Sequence, residues 1–287
     1  MERSEERKRL HFLPILVIVV VLSLCQLSEA AIGLQTPMKL RRSFYKYYNT
    51  CKDAEAYVNH QVQISWKSDK SIVAKLLRLT YSDCFVTSGG PSYIILTGRR
   101  DGMTSSASSV NIPSPSMSVN ETLAYFNSKG LDVRDMATLL GAHTLGRTHC
   151  RNIEDRLYNF KGTKRPDPTM KPELVESLRK QCPERLRKGQ SDPLVYLNPE
   201  SGSHYSFTES FYRRVNNNQA ILGVDQQLLY REDTKDLTDQ FAASLQDFKL
   251  SIALSMNRMG NINVLTGNQG EIRRTCSITN KDNPLLK

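Results

Sequence analysis

The side chain best placed for metal chemistry is the imidazole of His143, in the stretch LDVRDMATLLGAHTLGRTHC, Leu131 to Cys150. Met136, Leu139, Leu140 and His143 recur at i, i+3, i+4 and i+7, the spacing of one apolar helix face. Asp132 and Asp135 put negative charge where a helix start favours it, and Gly146 is a natural stop. His143 therefore falls at the end of the helix, on the stripe that faces inward. An imidazole held by a rigid helix and aimed into an apolar cleft suits the axial position of a haem iron. A lone histidine on an apolar face is more often a satisfied core residue, and the residues alone leave both readings open. Asp225, in Gly223-Val224-Asp225-Gln226, reads by itself as a cap or turn residue.

The elements that must position these groups are mostly helical. Ala54 to Ser68 and Ser71 to Leu79 carry helical spacing, with Ile72, Leu76 and Leu79 on one face. Gln240 to Met259 reads as a last amphipathic helix whose core face holds Phe241, Leu245, Phe248, Ile252 and Met259. A short β-prone run, Tyr93 to Leu96, leads into the charged turn Thr97 to Gly102, expected to be solvated or salt-bridged structure. Asn111-Ile112-Pro113-Ser114-Pro115 is extended by its prolines. The fold class is mainly α, and the length suits one large domain or two lobes around a cleft. There is no internal repeat and no low-complexity tract.

Residues 1–30 read as a cleavable secretion signal. Arg3, Arg7, Lys8 and Arg9 form a basic head, Phe12 to Cys25 is apolar, and Ser28-Glu29-Ala30 supplies small residues at the cleavage positions. The apolar run is shorter than the ~20 residues that span a bilayer, so no membrane anchor is expected. The chain carries 39 Lys and Arg against 29 Asp and Glu, a net charge of +10, and the leader removes four of each sign. A basic secreted chain is expected to associate with acidic wall polysaccharide. No basic stripe interleaved with aromatics points to nucleic acid. Beyond the leader stand Cys51, Cys84, Cys150, Cys182 and Cys276, an odd number, which leaves at least one thiol over.

Gly-Ala-His-Thr-Leu-Gly followed by Cys150 resembles the proximal haem-ligand motif of the secretory plant (class III) peroxidases. Arg78-Leu79, Asp83-Cys84-Phe85-Val86, Gly90-Pro91-Ser92-Tyr93, Thr97 to Asp101, Asn111 to Pro115 and Asp155-Arg156-Leu157-Tyr158-Asn159-Phe160 agree with that family in order and spacing. So do Arg258-Met259-Gly260-Asn261 and Gly270-Glu271-Ile272-Arg273. The resemblance implies the plant haem-peroxidase fold, two helical lobes around a haem b. It also implies hydrogen peroxide-dependent oxidation of small phenolic donors, a part in the response to oxidative stress, and a monomer. By the same resemblance His143 ligates the iron and Asp225 accepts the other ring N–H, making the ligand more electron-donating. Arg78 stabilises the oxygen departing from peroxide, the backbone at Pro113 lines the mouth where donors dock, and Cys150 pairs with Cys182. Thr144 falls at a proximal calcium ligand, completed by the loop Asn198 to Ser203 with Phe207-Thr208. Asp83 and the carbonyl of Val86 fall at a distal calcium site.

The pattern is broken in three places. Ser82 stands where the family has the distal histidine that moves the peroxide proton, and loss of such a base typically costs ~10²–10⁴ in rate. Asn198 and Thr208 replace two calcium-site aspartates, with Glu200 or Glu209 as candidates to compensate. After Val86 the sequence resumes with a segment the family places much later. The expected organisation is thus a signal over 1–30, a distal-lobe remnant over 31–86, a deletion junction at about 86–89 and a proximal lobe over 90–287. That deletion would also explain why Cys51, Cys84 and Cys276 lack their usual partners. The primary expectation is a haem peroxidase of impaired activity. The alternatives are a non-catalytic haem-binding or wall-associated protein, or the defective product of a deleted transcript.

Overall fold

A computed structural model describes residues 40–42, 44–47, 53–69, 71, 90–109, 111–202 and 205–286, all within the unit Met38–Lys287. Arg78, Ser82, Asp83, Val86, Cys51, Cys84 and the leader lie outside them, as does the helix expected over Ser71 to Leu79 beyond its first residue. The described residues are mainly helical. In chain order they form α1 (Phe44–Tyr47), α2 (Ala54–Ser68), α3 (Val119–Ser128), α4 (Val133–Leu140), β1 (Arg147–His149), α5 (Glu154–Tyr158), α6 (Pro172–Gln181), β2 (Leu194–Tyr196), α7 (Ser210–Asn216), α8 (Gly223–Gln226), α9 (Glu232–Ala243) and α10 (Leu245–Gly260).

Local sequence explains the boundaries near the site. Ser118 and Glu121 form a reciprocal cap on α3, and Asp132 and Asp135 do the same on α4, satisfying backbone N–H groups that a helix start leaves open. Arg258 of α10 then reaches Asp132 at 2.7 Å and the buried Asp135 at 2.6 Å, and Ser255 donates to Asp135 at 2.8 Å. These bonds dock α4 against α10 with Met136 and Ala137 fully buried between elements. The core is a set of aromatic rings and aliphatic side chains. Phe207 stacks on Phe248 at 4.6 Å, and Tyr212 meets Phe248 edge-on at 4.9 Å and Phe241 at 5.1 Å.

Two elements differ from the sequence reading. Gln240 to Met259 is not one helix: α9 ends at Ala243 and α10 begins at Leu245. Ser244 is extended between them, and its hydroxyl accepts from the Asp247 N–H at 3.1 Å. A serine that caps a new start stops the preceding helix from running through. Phe241 and Phe248 still share the core, from separate helices. The run Tyr93 to Leu96 is not a strand either. Two of its carbonyls accept from side chains instead, that of Ile94 from Asn257 at 2.7 Å and that of Leu96 from Arg99.

The charged turn has a structural role. Arg100 donates to the carbonyls of Gln269 at 2.7 Å and Gly270 at 3.2 Å, and Asp101 pairs with Glu271 through both backbone bonds, at 2.8 and 2.9 Å. A Cβ at Gly270 would lie 2.1 Å from the Asp101 carbonyl, and its φ is +60°. That close approach is why glycine stands there.

Candidate functional site

His143 does not sit in α4 itself. The α-helix closes at Leu140 and the chain tightens into a 3-10 turn, Gly141–Thr144, which carries the imidazole. The turn presses hard on α7. A Cβ at Gly141 would lie 2.1 Å from the Tyr212 hydroxyl oxygen, 2.7 Å from its Cζ and 2.8 Å from Phe248. Only glycine allows this contact, and it lets the Tyr212 hydroxyl donate to the Ala137 carbonyl at 3.0 Å, in the last turn of α4. Burial pushes the Tyr212 phenol well above its ordinary range, and the negative charge of Asp225 adds in the same direction. The phenol is thereby held as a donor.

The imidazole is fixed from a second element. His143 Nδ1 donates to Asp225 Oδ1 at 2.8 Å, with the carboxylate side chain only 2% exposed. Asp225 lies in the first turn of α8 rather than in a loop, where a carboxylate complements the helix start. Phe211 meets the imidazole edge-on at 6.4 Å. With Nδ1 committed to a buried carboxylate, the tautomer is set and Nε2 is the nitrogen that carries the donor lone pair.

Asp225 in turn depends on residues far away in sequence. Val224 N–H donates to the Pro115 carbonyl at 2.8 Å, so the proline-stiffened segment holds the start of α8. Pro113 is half-buried two residues earlier. Arg156, 1% exposed, pairs with Asp167 at 2.8 Å and donates to the carbonyls of Ala220 and Ile221, each at 2.8 Å. It thereby clamps the segment that enters α8. Tyr212, Gly141 and Arg156 are the residues whose positioning role sequence reasoning missed. The Gly-Ala-His and Asp-Arg-Leu-Tyr motifs flagged two of them without showing what they touch, and Tyr212 carried no signal.

Behind His143, β1 and β2 pair antiparallel with Thr148 opposite Val195. Gly146, at φ +98°, turns the chain into β1, and its carbonyl accepts from Leu197 N–H at 3.1 Å. This pairing carries Asn198 beside Thr144. Asn198 Nδ2 donates to Thr144 Oγ1 at 3.1 Å and to Ser210 Oγ at 2.8 Å. Thr144 Oγ1 donates to the Thr208 carbonyl at 2.9 Å, and the Thr208 and Ser210 hydroxyls share a bond at 2.6 Å. Glu200 faces Arg213 and Arg214, each at 4.0 Å, and Glu209 pairs with Arg213. Cys150 and Cys182 form a disulfide that closes a separation of 32 residues, and Cys276 is an exposed free thiol.

The donor set decides what His143 could hold. Among the described residues no group of three or more His, Cys, Asp or Glu side chains could cage a metal ion. A single imidazole backed by one carboxylate fits a metal that brings its other ligands with it, as a porphyrin iron does.

The protein-family model described as Peroxidase matches residues 86–244. "Probable peroxidase 61" of Arabidopsis thaliana is 47% identical over 331 aligned positions, which take in 94% of this chain and 97% of that one. "Probable peroxidase 26" of the same plant is 44% identical over 325 positions, 92% of this chain and 97% of the relative. "Peroxidase 57" is 38% identical over 205 positions, 71% and 62%. In the first of these matches about 270 of the 287 residues are spread over 331 positions, so about 60 positions have no residue of this chain.

Proposed function

This chain belongs to the plant peroxidase family of haem enzymes, and from that premise we propose that His143 is its haem b iron ligand and Asp225 the carboxylate that tunes it. The observation that carries the assignment is the 2.8 Å bond between His143 Nδ1 and a buried Asp225 brought from a separate helix. Bound haem supplies the iron at which hydrogen peroxide is reduced at the expense of small phenolic donors. The chain's own contribution on the proximal side is to present Nε2, hold the tautomer and make the ligand strongly electron-donating, which favours cleavage of the peroxide bond.

By the family resemblance Arg78 assists the departing oxygen, and Ser82 stands at the sequence position of the base. A hydroxyl has no useful basicity near neutral pH, so turnover is impaired rather than absent. The shortfall of about 60 aligned positions supports an internal deletion after Val86. Such a deletion takes away the remainder of the distal calcium set around Asp83 and Val86. Residues 1–30 direct secretion, and the net charge of +10 draws the chain to acidic wall polysaccharide. No helix among the described residues is long and apolar enough to cross a membrane.

The test is reconstitution of the purified chain with haemin, read by absorption. A Soret band that shifts on addition of peroxide is expected for the wild type, and His143→Ala should lose haem retention. Haem bound by that variant at unchanged stoichiometry would overturn the ligand assignment. A wild-type band that peroxide leaves unmoved would make the chain a haem-binding protein without turnover.

A further inference from the structure

We propose that the turn carrying His143 is fastened to α7 and the strand pair by a cation-free clasp of neutral side chains, Thr144, Asn198, Thr208 and Ser210, at the place where the resemblance implies a proximal calcium ion. All four groups except Thr208 are at most 2% exposed, so what they bond to decides what the space can hold.

The hydrogen bonds leave little for a cation. Both Asn198 Nδ2 hydrogens are spent, on Thr144 Oγ1 at 3.1 Å and on Ser210 Oγ at 2.8 Å. Those two oxygens therefore face N–H donors, which is the wrong polarity beside a metal ion. The Thr144 hydroxyl is committed to the Thr208 carbonyl at 2.9 Å, so that carbonyl also accepts from within the clasp. Thr208 and Ser210 bond each other at 2.6 Å. Asn198 Oδ1 is the one oxygen of the four side chains that is buried without a hydrogen-bond partner. Calcium takes six to eight oxygens and needs carboxylates to offset its lost hydration. One neutral amide oxygen does not meet that demand.

The carboxylates that could compensate are engaged by arginines. Glu200, half exposed, lies 4.0 Å from both Arg213 and Arg214. Glu209 forms a short i,i+4 pair with Arg213. The local charge is thus balanced by arginines, and drawing Glu200 inward would take away the carboxylate that Arg214 faces. The clasp substitutes amide and hydroxyl hydrogen bonds for metal coordination, and Thr144, the residue after His143, is held without a divalent ion.

The experiment compares wild type, Asn198→Ala and Asn198→Asp as full chains after haemin reconstitution, in millimolar CaCl2 and in EGTA. Melting is followed by far-UV circular dichroism, and calcium content by equilibrium dialysis. Circular dichroism reads the clasp whether or not haem is retained, so failure of the haem assignment and failure of the clasp are told apart. Wild type should melt at the same temperature in both buffers. Asn198→Ala should melt lower by roughly 5 °C, equally in both. Asn198→Asp should fall by a similar or larger amount in EGTA, from an unpaired buried charge, and recover in calcium. Calcium bound equally by wild type and Asn198→Ala supports the clasp, because the ion is then held elsewhere. A wild type that loses calcium and melting temperature in EGTA, with Asn198→Ala indifferent to it, overturns the proposal, and this pair decides even if Asn198→Asp does not fold.

Discussion

At the residue scale the decisive contact is a 2.8 Å bond between a half-exposed imidazole and a buried carboxylate. Asp225→Asn should keep haem while lowering the rate of reaction with peroxide by ~10–100-fold, the usual cost of losing a partner behind a metal ligand. Stopped-flow absorption of the haem band measures it, and an unchanged rate would remove Asp225 from the assignment. Ser82 presents the opposite case, since the proposed function puts it where the family has a base. Ser82→His should raise peroxide reactivity, by up to ~10²–10⁴ if the base alone limits turnover. No gain in a variant that binds haem normally would shift the fault to the missing segment. Tyr212 adds a pH signature. Its folded pKa is raised, first by burial and then by Asp225, so the native state favours the neutral phenol. That contribution is present below the ordinary phenol value of about 10 and is lost as pH rises from there through the raised value. The melting temperature should therefore fall more steeply above pH 10 in wild type than in Tyr212→Phe.

At the scale of elements, the end of α4 is set by the rings of Tyr212 and Phe248, which press on it. Gly141 admits the Tyr212 ring, and the Tyr212 hydroxyl holds the Ala137 carbonyl. Gly141→Ala forces a Cβ into that ring, and overpacking of this kind costs about 1–3 kcal/mol. Denaturant melts should show the loss, and adding Tyr212→Phe should recover part of it, since the nearest clash at 2.1 Å is with the hydroxyl. The disulfide acts on a longer stretch. Closing 32 residues between Cys150 and Cys182 stabilises by roughly 3–4 kcal/mol in the chain-entropy model. Reduction should lower stability by that order, read from urea melts with and without reductant.

At the scale of the whole molecule, charge and the shortfall against the relatives matter most. A net charge of +10 should retain the protein on immobilised polygalacturonate at low ionic strength. Release is expected as salt rises through ~0.15 M, where the Debye length has fallen to ~8 Å. Retention that ignores salt would argue against an electrostatic surface. The roughly 60 aligned positions without a residue here leave the family match concentrated in the part that carries His143 and Asp225, residues 86–244.

The sequence by itself determined the helical periodicity of α2 and α4, the helix start marked by Asp132 and Asp135, the family motifs and their departures at Ser82, Asn198 and Thr208. Each is legible because it depends on residue type and short spacing. It did not determine where helices are interrupted, as at Ser244, because a serine's choice between solvent and a backbone N–H is made by packing. Nor did it show that Arg156 clamps the entrance to α8, that Gly141 makes room for Tyr212, or that Asn198 spends both amide hydrogens on hydroxyls. Those contacts join residues 12 to 75 positions apart. Only the folded chain brings such groups within bonding distance, and direction, which sequence spacing does not encode, decides whether an oxygen meets a hydrogen or a metal.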